Sequence, residues 1–347
     1  MAGLTICILA GGYSPERNVS LASAANVAAH LRRGGHQVSV LDPCGGGAPL
    51  AAAAEAAILA APIGAPPSAA EQADLRAALD AARLLAAPAL RAAQVVFPLV
   101  HGAFGEDGRL QALLEAAGKP YVGSDWAGQA MAMDKHIAKE LMVQNGIRTP
   151  PWVCLAAGEP LPAAVDLPAV VMPASGGSSV AMAVCRESAE LAPALERAWA
   201  EDRFALVQRF IAGRELTLGM LGSEPLALGE IRAPSAMFDY EAKYRGGATR
   251  EIFPADVSAS AREAAGAAGR AMMSALRLRH YARMDFILDG AGQLWALEAN
   301  AVPGMTAKSL YPQSAAAAGW DFAMLCERLC RMALSGESSA GGAGAPR

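Results

Sequence analysis

Residues 283–306 read RMDFILDGAGQLWALEANAVPGMT, and this stretch decides how the second half of the chain is interpreted. Polar side chains alternate with apolar ones in residues 283–286 and again in residues 297–300. A period of two residues is typical of a β-strand. Asp289-Gly290 stands between the two runs and is a strong signal for a hairpin turn. The stretch therefore predicts an antiparallel β-hairpin.

The predicted hairpin carries a set of polar side chains suited to a metal ion. Closing it can place four of them on one face: Arg283, Asp285, Glu298 and Asn300. They supply three oxygen ligands and one fixed positive charge, which suits Mg²⁺, an ion that keeps several waters and shares phosphate oxygens with its substrate. The alternative is a surface hairpin whose solvated face is acidic. The hairpin alone leaves both interpretations open.

The residues after the hairpin, PGMT, are unlike an ordinary strand or helix. Pro303-Gly304 can bring backbone N–H groups close to a reacting group. The element is therefore a candidate to carry an oxyanion site beside its metal site.

Composition excludes several classes of protein. At 347 residues with 53% hydrophobic residues, the chain can form two or three domains with buried cores. A formal net charge of −4 argues against a general nucleic-acid-binding protein, which needs a basic face. No uninterrupted apolar run is long enough to predict a membrane span. The six cysteines include no CxxC pair, which favours reduced thiols in the cytoplasm.

The first 125 residues predict an open α/β domain. Residues 4–9 are predicted to form a strand, residues 20–31 a helix, and residues 37–42 and 95–100 two further strands. The glycine turn that follows residues 4–9 is inconsistent with a signal peptide. A short strand is also predicted at residues 121–123.

Two residues of this domain are candidate ligand groups because each follows a predicted strand. Glu16 lies in the loop after the first strand, where open α/β sheets usually place such groups. A solvated turn is the alternative interpretation of Glu16. His101 comes between a strand and a glycine, which favours a ligand contact over a core histidine.

The remaining segments are interpreted more coarsely. The alanine-rich region 45–91 predicts one or two helices, residues 126–145 predict a single helix, and residues 169–172 predict a strand. The glycine- and serine-rich loop after that strand is of a kind that closes over nucleotide phosphates. A last helix is predicted at residues 320–334, and residues 335–347 are interpreted as a disordered tail.

Taken together, the motifs resemble the D-alanine–D-alanine ligases of the ATP-grasp superfamily. The resemblance runs from residue 8 to about residue 329 and is weakest in region 45–92. The stretches that carry it, in chain order, are GGYSPERNVS, HGAFGEDGRLQALLE, PYVGS followed by AMDK, GSSV, GRELTLGMLG, FDYEAKY, ARMDFILD and LEANAVPGMTAKSLYP. Several motifs in the correct order are far more specific than any one of them.

The resemblance implies an α/β fold in which an N-terminal open parallel-sheet (pre-ATP-grasp) domain, residues 1–125, precedes a two-part ATP-grasp fold. The two parts are expected at residues 126–207 and 208–334. The implied activity is ATP-dependent ligation of two D-alanines for peptidoglycan precursor synthesis. ATP phosphorylates one carboxylate, and the amine of the second D-alanine attacks the acyl phosphate. A cytoplasmic homodimer that uses Mg²⁺, with Mn²⁺ as a substitute, is also implied.

Carried over position by position, the resemblance assigns the metal and acyl-transfer groups. It implies that Asp285, Glu298 and Asn300 hold two Mg²⁺ ions, which neutralise phosphate charge. It also implies that Arg283 and the backbone N–H of Gly304 stabilise the tetrahedral oxyanion.

Substrate-binding groups are implied in the same way. Glu16 would hold the ammonium of the first D-alanine, with His101 near its carboxylate. Ser309 and the backbone of Leu310 would hold the second carboxylate. Ser178 and Tyr244 are implied to join Glu16 in a hydrogen-bonded set that closes a loop over the site and excludes water. The presence of Tyr244 favours an amino acid over a hydroxy acid as the second substrate.

The nucleotide side departs from the family pattern in three places. Gln208 stands where the family has an acidic residue, and residues 176–181 read GGSSVA where the family has an acidic residue followed by GSSVG. Lys135 and Lys243 are implied to meet phosphate oxygens, Gln208 the adenine amino group and Glu215 the ribose hydroxyls. Met172, however, stands where the family has a phosphate-binding lysine, and methionine cannot donate a hydrogen bond. Losing this charge-assisted contact predicts ATP binding that is weaker by roughly ten- to a hundredfold.

Two alternatives to this ligase remain. One is another ATP-grasp carboxylate–amine ligase, which makes a different dipeptide or a secondary metabolite. The other is a paralogue with weakened ATP binding that acts as a non-catalytic sensor of D-alanine or nucleotide. The retained metal and acyl-transfer groups favour the ligase over the sensor.

Overall fold

The computed structural model of the protein describes residues 3–161, 165–177, 181–232 and 249–336. Three predicted site residues, Ser178, Lys243 and Tyr244, lie outside the described residues, as does most of the predicted tail. Within the described ranges, no helix is long and apolar enough to cross a membrane.

The N-terminal part is built on a parallel sheet. Its strands are β1 (Thr5–Leu9), β2 (Gln37–Leu41) and β3 (Val95–Pro98), in the order β2-β1-β3. β1 and β3 are apolar and almost wholly buried, as expected for parallel strands covered on both faces. Helix α1 (Arg17–Arg33) packs against β1 and β2 and begins three residues before its predicted start. The predicted open parallel-sheet domain is confirmed.

Region 45–92 contains more helices than the one or two predicted. They are α2 (Ala52–Ala60), α3 (Ala69–Ala78), α4 (Ala81–Ala86) and α5 (Pro88–Ala92). Caps explain the division, because Ser68 forms a capping box with Glu71 and the Asp80 side chain caps the next helix. Pro88 then occupies the first turn of α5. The predicted strand at residues 121–123 is also wrong, since Tyr121 forms only an isolated bridge with Val96.

The single helix predicted at residues 126–145 is wrong, because Asp134 divides it. After α6 (Arg109–Ala116), the chain forms α7 (Trp126–Met133) and α8 (Lys135–Gln144). Asp134 has extended backbone angles, and its Oδ1 accepts hydrogen bonds from the backbone N–H groups at the start of α8. The Lys135 N–H is thereby free to donate to the carbonyl oxygen of Ala174 at 2.8 Å. The break brings Lys135 to the glycine-rich loop.

Two antiparallel sheets form the rest of the fold. The first contains β4 (Trp152–Ala156), β5 (Ala169–Pro173), β6 (Ala183–Cys185) and β7 (Phe204–Arg209) in the order β4-β7-β5-β6. The second contains β8 (Gly213–Leu221), β9 (Glu224–Arg232), β10 (Arg250–Ile252), β11 (Tyr281–Asp289) and β12 (Leu294–Asn300) in the order β10-β9-β8-β11-β12. β11 and β12 are the predicted hairpin.

Helices cover these sheets and join them to the N-terminal part. They are α9 (Leu191–Glu201), α10 (Ala259–Ala275), α11 (Leu310–Ala317) and α12 (Phe322–Ser335). One core cluster contains Leu31 of α1, Tyr281 of β11 and Leu329 of α12. Because this core spans both ends of the chain, it fixes the position of α1 relative to the hairpin.

Candidate active site

A cavity of about 560 Å³ brings together residues from both antiparallel sheets and from loops of the N-terminal part. The predicted site residues in its wall are Glu16, Lys135, Gln208, Glu215, Arg283, Asp285, Glu298 and Leu310. Met172 also lines it. Residues far apart in sequence thus meet around one space, as expected for a ligand site. His101, Asn300, Gly304 and Ser309 are not part of the cavity wall.

The hairpin register places the predicted metal and oxyanion residues side by side. Arg283 lies opposite Asn300, and Asp285 lies opposite Glu298. Because both pairs are directly opposed and spaced by two residues, the four side chains share one face. A β-bulge follows Asp285 and lies directly beside this pair.

The Asp285 side chain is buried, and both of its carboxylate oxygens accept hydrogen bonds. Its Oδ2 is 2.8 Å from Arg283 Nη2, and its Oδ1 accepts a hydrogen bond from Thr217 Oγ1 at 2.8 Å. Thr217 is on β8, which pairs with β11 on the side away from β12. The position of the Asp285 carboxylate is therefore fixed by two neighbouring groups.

Lys135 links the hairpin to the glycine-rich loop. Its Nζ lies 3.4 Å from Glu298 Oε2 and donates to the carbonyl oxygen of Gly176 at 2.7 Å. Lys135 is the first residue of α8, so the break at Asp134 is what delivers it to this position. A cation thus lies between an acidic strand and a backbone loop, where a polyphosphate can be bound.

The donor set fits a divalent cation. Asp285 and Glu298 face each other across the hairpin, and each carboxylate is now paired with a side-chain cation. Asn300 Oδ1 accepts from the N–H of Val302 at 3.0 Å, which leaves a second acceptor direction on that oxygen. Carboxylate and amide oxygens are the ligands that Mg²⁺ prefers. In the described ranges no three His, Cys, Asp or Glu side chains cluster as a metal site.

Glu16 approaches the glycine-rich loop so closely that a side chain at position 177 would displace its carboxylate. A Cβ atom placed on Gly177 would lie 2.9 Å from Glu16 Oε2, which is closer than real Cβ contacts allow. Glu16 precedes the first residue of α1 and belongs to the N-terminal part, whereas Gly177 follows β5. The two parts of the chain therefore meet at this carboxylate.

His101 lies behind the cavity wall rather than in it. It is buried, its backbone carbonyl accepts from Ser14 Oγ at 2.7 Å, and its Nδ1 is 3.9 Å from Glu106 Oε1. Burial lowers the pKa of His101, but Glu106 and Glu16 outweigh it, and the net pKa direction is upward. The neighbouring residues Gly102 and Ala103 line the cavity instead.

Helix α1 fixes the loop at residues 303–309. Ser23 Oγ accepts from the N–H of Met305 at 3.1 Å, and Asn26 Nδ2 donates to the Met305 carbonyl at 2.9 Å. Within the loop, the N–H of Thr306 donates to Ser309 Oγ at 3.1 Å, and a Cβ on Gly304 would lie 2.8 Å from that oxygen. The loop then enters α11 at Leu310, which reaches the cavity.

The side of the cavity beside β5 and β7 is largely apolar. Met172 and Val170 line it from β5, and Phe210 and Ile211 line it from the turn between β7 and β8. Gln208 is opposite both Trp152 and Val170 in the sheet register. The methionine at position 172 therefore faces the cavity as the sequence departure predicts, and supplies no charge there.

Sequence reasoning missed several residues that shape the site. Thr217, Ser23 and Asn26 bind predicted site groups or loops, but single polar residues within a strand or helix gave no signal. Lys139 also lines the cavity and is buried. Its spacing of four residues from Lys135 on one helix was the available signal, since such residues share a helix face.

Comparison with protein families covers nearly the whole chain. Residues 5–124 match the family model described as D-ala D-ala ligase N-terminus, and residues 141–331 match D-ala D-ala ligase C-terminus. A D-alanine--D-alanine ligase of Oleidesulfovibrio alaskensis is 40% identical over 339 residues, which cover 96% of this chain and 97% of the relative. One from Syntrophobacter fumaroxidans is 37% identical over 95% of this chain and 98% of the relative.

Comparison with solved structures finds the same family of ligases. The D-alanine--D-alanine ligase of Bacillus anthracis complexed with ATP is similar with a TM-score of 0.76 and 26% identity, over 96% of this chain and 98% of the other. The VanG D-Ala:D-Ser ligase of Enterococcus faecalis gives a TM-score of 0.76 at 25% identity, over 96% and 100% of the two chains. These likenesses confirm the predicted fold class.

Proposed function

Because this chain belongs to the D-alanine–D-alanine ligase family, we propose that it joins two D-alanines at the expense of ATP. A carboxylate oxygen of the first D-alanine attacks the γ-phosphorus of ATP, and ADP leaves. The amine of the second D-alanine, once deprotonated, attacks the acyl carbon of the phosphorylated intermediate. Inorganic phosphate leaves with the carbon–oxygen bond electrons, and the dipeptide forms.

The observation that supports this proposal most directly is the convergence of Glu16, Lys135 and Arg283 in one cavity. A carboxylate at one end suits the ammonium of an amino acid. Lys135, beside the glycine-rich loop, suits the transferred phosphate. Arg283, oriented by Asp285, suits the charge that develops on the acyl oxygen.

Mg²⁺ is part of the proposal. Asp285, Glu298 and Asn300 would hold it, and when bound it would offset the negative charge of the phosphates. Arg283 and Lys135 now pair with two of these ligands. We further propose two ions, with Mn²⁺ as a substitute.

The acceptor side of the site is proposed to lie at residues 304–310. Gly304 and Ser309 are on the loop that ends at Leu310, and Leu310 lines the cavity. The Ser309 hydroxyl and the Leu310 N–H would bind the second carboxylate, and the Gly304 N–H would assist Arg283. His101, behind the wall, would orient the loop that meets the first carboxylate. Glu16, Ser178 and Tyr244 would close the site against water.

On the nucleotide side, Lys135 and Lys243 are proposed to bind phosphates, Gln208 the adenine and Glu215 the ribose. Gln208 and Glu215 line the same cavity as the apolar side chains of Val170 and Met172. We also propose a role in peptidoglycan precursor synthesis, a cytoplasmic location and a homodimeric state. All six cysteines have free thiols, which is consistent with that location.

The proposal is tested with purified protein, ATP, Mg²⁺ and D-alanine. We expect D-alanyl-D-alanine and inorganic phosphate to appear in equal amounts, and no product with L-alanine. Parallel reactions with D-serine, D-lactate and other amino acids identify the acceptor. Phosphate release driven only by another amino acid would replace this activity with another carboxylate–amine ligation. Ligand binding without turnover would instead indicate a sensor.

A further inference from the structure

Lys139 is a buried cation in the cavity wall that the proposed chemistry does not use. It is 1% exposed and lies on α8, one turn after Lys135. Residues spaced by four share a helix face, and both lysines line the same cavity. A lysine is rarely buried this completely without a partner of opposite charge.

The contacts of Lys139 are all to neutral groups. Its Nζ donates to Thr149 Oγ1 at 2.6 Å and to the carbonyl oxygen of Pro150 at 3.4 Å, and lies 5.3 Å from the centre of the Trp152 ring. Among the described residues, no carboxylate lies within salt-bridge distance of this Nζ. A desolvated cation with neutral partners favours the arrival of an anion.

The other cations of the cavity wall contrast with Lys139. Arg109 pairs with Asp107, and Arg283 pairs with Asp285 at 2.8 Å. Lys135 is 3.4 Å from Glu298. Each of these charges is balanced by a carboxylate of the protein. Among the described basic residues of the cavity wall, Lys139 is therefore the one whose charge is left for a ligand to balance.

The position of Lys139 indicates which ligand. Trp152, over which its ammonium lies, pairs with Gln208 in the sheet, and the adjacent strand presents Met172 to the cavity. On the other side, Lys139 interacts electrostatically with Glu298 and Lys135. Lys139 thus lies between the apolar half of the cavity and the acidic hairpin, where the phosphates of a nucleotide would run.

We propose that Lys139 is a second phosphate-binding cation, which contacts the polyphosphate of ATP together with Lys135. The assignment rests on the proposed function, since it takes ATP as the ligand. Met172 on β5 supplies no hydrogen-bond donor to the cavity. Lys139 on α8 therefore provides the positive charge that this part of the wall otherwise lacks. The hydrogen bond to Thr149 satisfies one N–H of the ammonium before the nucleotide binds.

The test compares the binding of a nucleotide with the binding of the corresponding nucleoside, which lacks the phosphates. Binding of the non-hydrolysable analogue AMP-PNP and of adenosine is measured by calorimetry on the full chain, without D-alanine. The variant is Lys139→Gln, which keeps an amide donor for Thr149 but carries no charge. We expect AMP-PNP to bind roughly 10- to 100-fold more weakly and adenosine to bind as in the wild type. Thr149→Val, which removes only the hydrogen-bond partner, should leave the affinity for AMP-PNP within a few-fold of the wild type.

Adding a cation across the cavity gives an independent check. Met172→Lys in the Lys139→Gln background should recover a large part of the lost affinity for AMP-PNP. If Lys139→Gln does not fold, Lys139→Met serves in its place with the same ligands.

Two results would overturn the assignment: unchanged AMP-PNP binding in the charge-free variant, or equal losses for AMP-PNP and adenosine. The second result would mean that Lys139 only supports the fold of residues 149–152. Because these measurements need no turnover, they remain valid if the protein proves not to ligate D-alanine. In that case the proposed function fails and the phosphate contact stands.

Discussion

Asn26 donates a hydrogen bond from Nδ2 to the carbonyl oxygen of Met305 at 2.9 Å, although 279 positions separate the two residues. Glu16 lies at the beginning of the same helix, and Ser23 of that helix accepts from the Met305 N–H. One helix therefore sets the distance between the proposed ammonium-binding carboxylate and the loop that carries Gly304. Both proposed substrate subsites depend on its position.

Asn26→Ala should lower the rate of dipeptide formation because Met305 loses one of the two hydrogen bonds that hold it to Ser23 and Asn26 of α1. We expect a decrease in kcat of about tenfold, with a loss of stability of about 1 kcal/mol. Steady-state kinetics and urea unfolding measure both quantities. Asn18→Ala is the matched control, since Asn18 donates the same kind of bond from the same helix to Ala65, away from this loop. Equal effects of the two substitutions on kcat would contradict the role given to Asn26.

Gly177→Ala should impair D-alanine use without destabilising the fold. The added methyl would meet Glu16 Oε2, the mobile end of a side chain, so the carboxylate would turn aside at little cost to packing. A displaced ammonium-binding group should lower kcat/KM for D-alanine roughly 10- to 100-fold. Thermal unfolding should be unchanged. Gly290→Ala is the control, because a Cβ there meets nothing within 4 Å. A normal kcat/KM in Gly177→Ala would show that Glu16 is not positioned by this contact.

Glu298→Gln should remove most phosphoryl transfer. The substitution keeps the size of the side chain but removes the charge opposite Asp285 and the partner of Lys135. We expect phosphate release to fall on the order of a hundredfold or more. Glu224→Gln changes an exposed carboxylate outside the cavity wall and should retain full activity. Wild-type turnover in Glu298→Gln would defeat its assignment as a metal ligand.

The pH dependence of stability should report the burial of Lys139. Burial lowers the pKa of Lys139 to about 7, with a smaller opposing effect from Glu298 and a reinforcing one from Lys135. In the unfolded chain a lysine keeps its proton up to a pKa of about 10.4. Between these values the unfolded state binds one more proton, so this group makes the free energy of unfolding rise with pH. Below about pH 7 both states are protonated and the burial cost is fully present.

Urea unfolding at pH 7 and pH 9, without nucleotide, measures this effect. The free energy of unfolding of the wild type should rise relative to that of Lys139→Gln, by up to about 1.4 kcal/mol per pH unit. Thr149, Pro150 and the Trp152 ring also face the ammonium but do not titrate in this range. Parallel pH profiles for the two proteins would mean that Lys139 is not desolvated as described.

Sequence patterns over a few neighbouring residues were sufficient to predict the hairpin and the buried strands. The hairpin of β11 and β12 follows from a period-two alternation and a turn signal, and its register then places Asp285 opposite Glu298. The strands β1 and β3 follow from short apolar runs. The same reasoning failed at residues 126–145, because helix periodicity continues through Asp134. The break there combines the Asp134 cap with contacts to Ala174 and Ser175, some 40 positions away.

The sequence by itself determined the open α/β domain, the β-hairpin with its acidic face and the absence of a cation at position 172, because each rests on residue types and short spacings. Tertiary structure alone decided that Lys139 is buried among neutral groups and that Asn26 holds Met305. It also decided that Gly177 meets Glu16 and that His101 lies behind the cavity wall. The physical reason is that burial and charge balance depend on which distant segments pack together, and no local pattern encodes that choice.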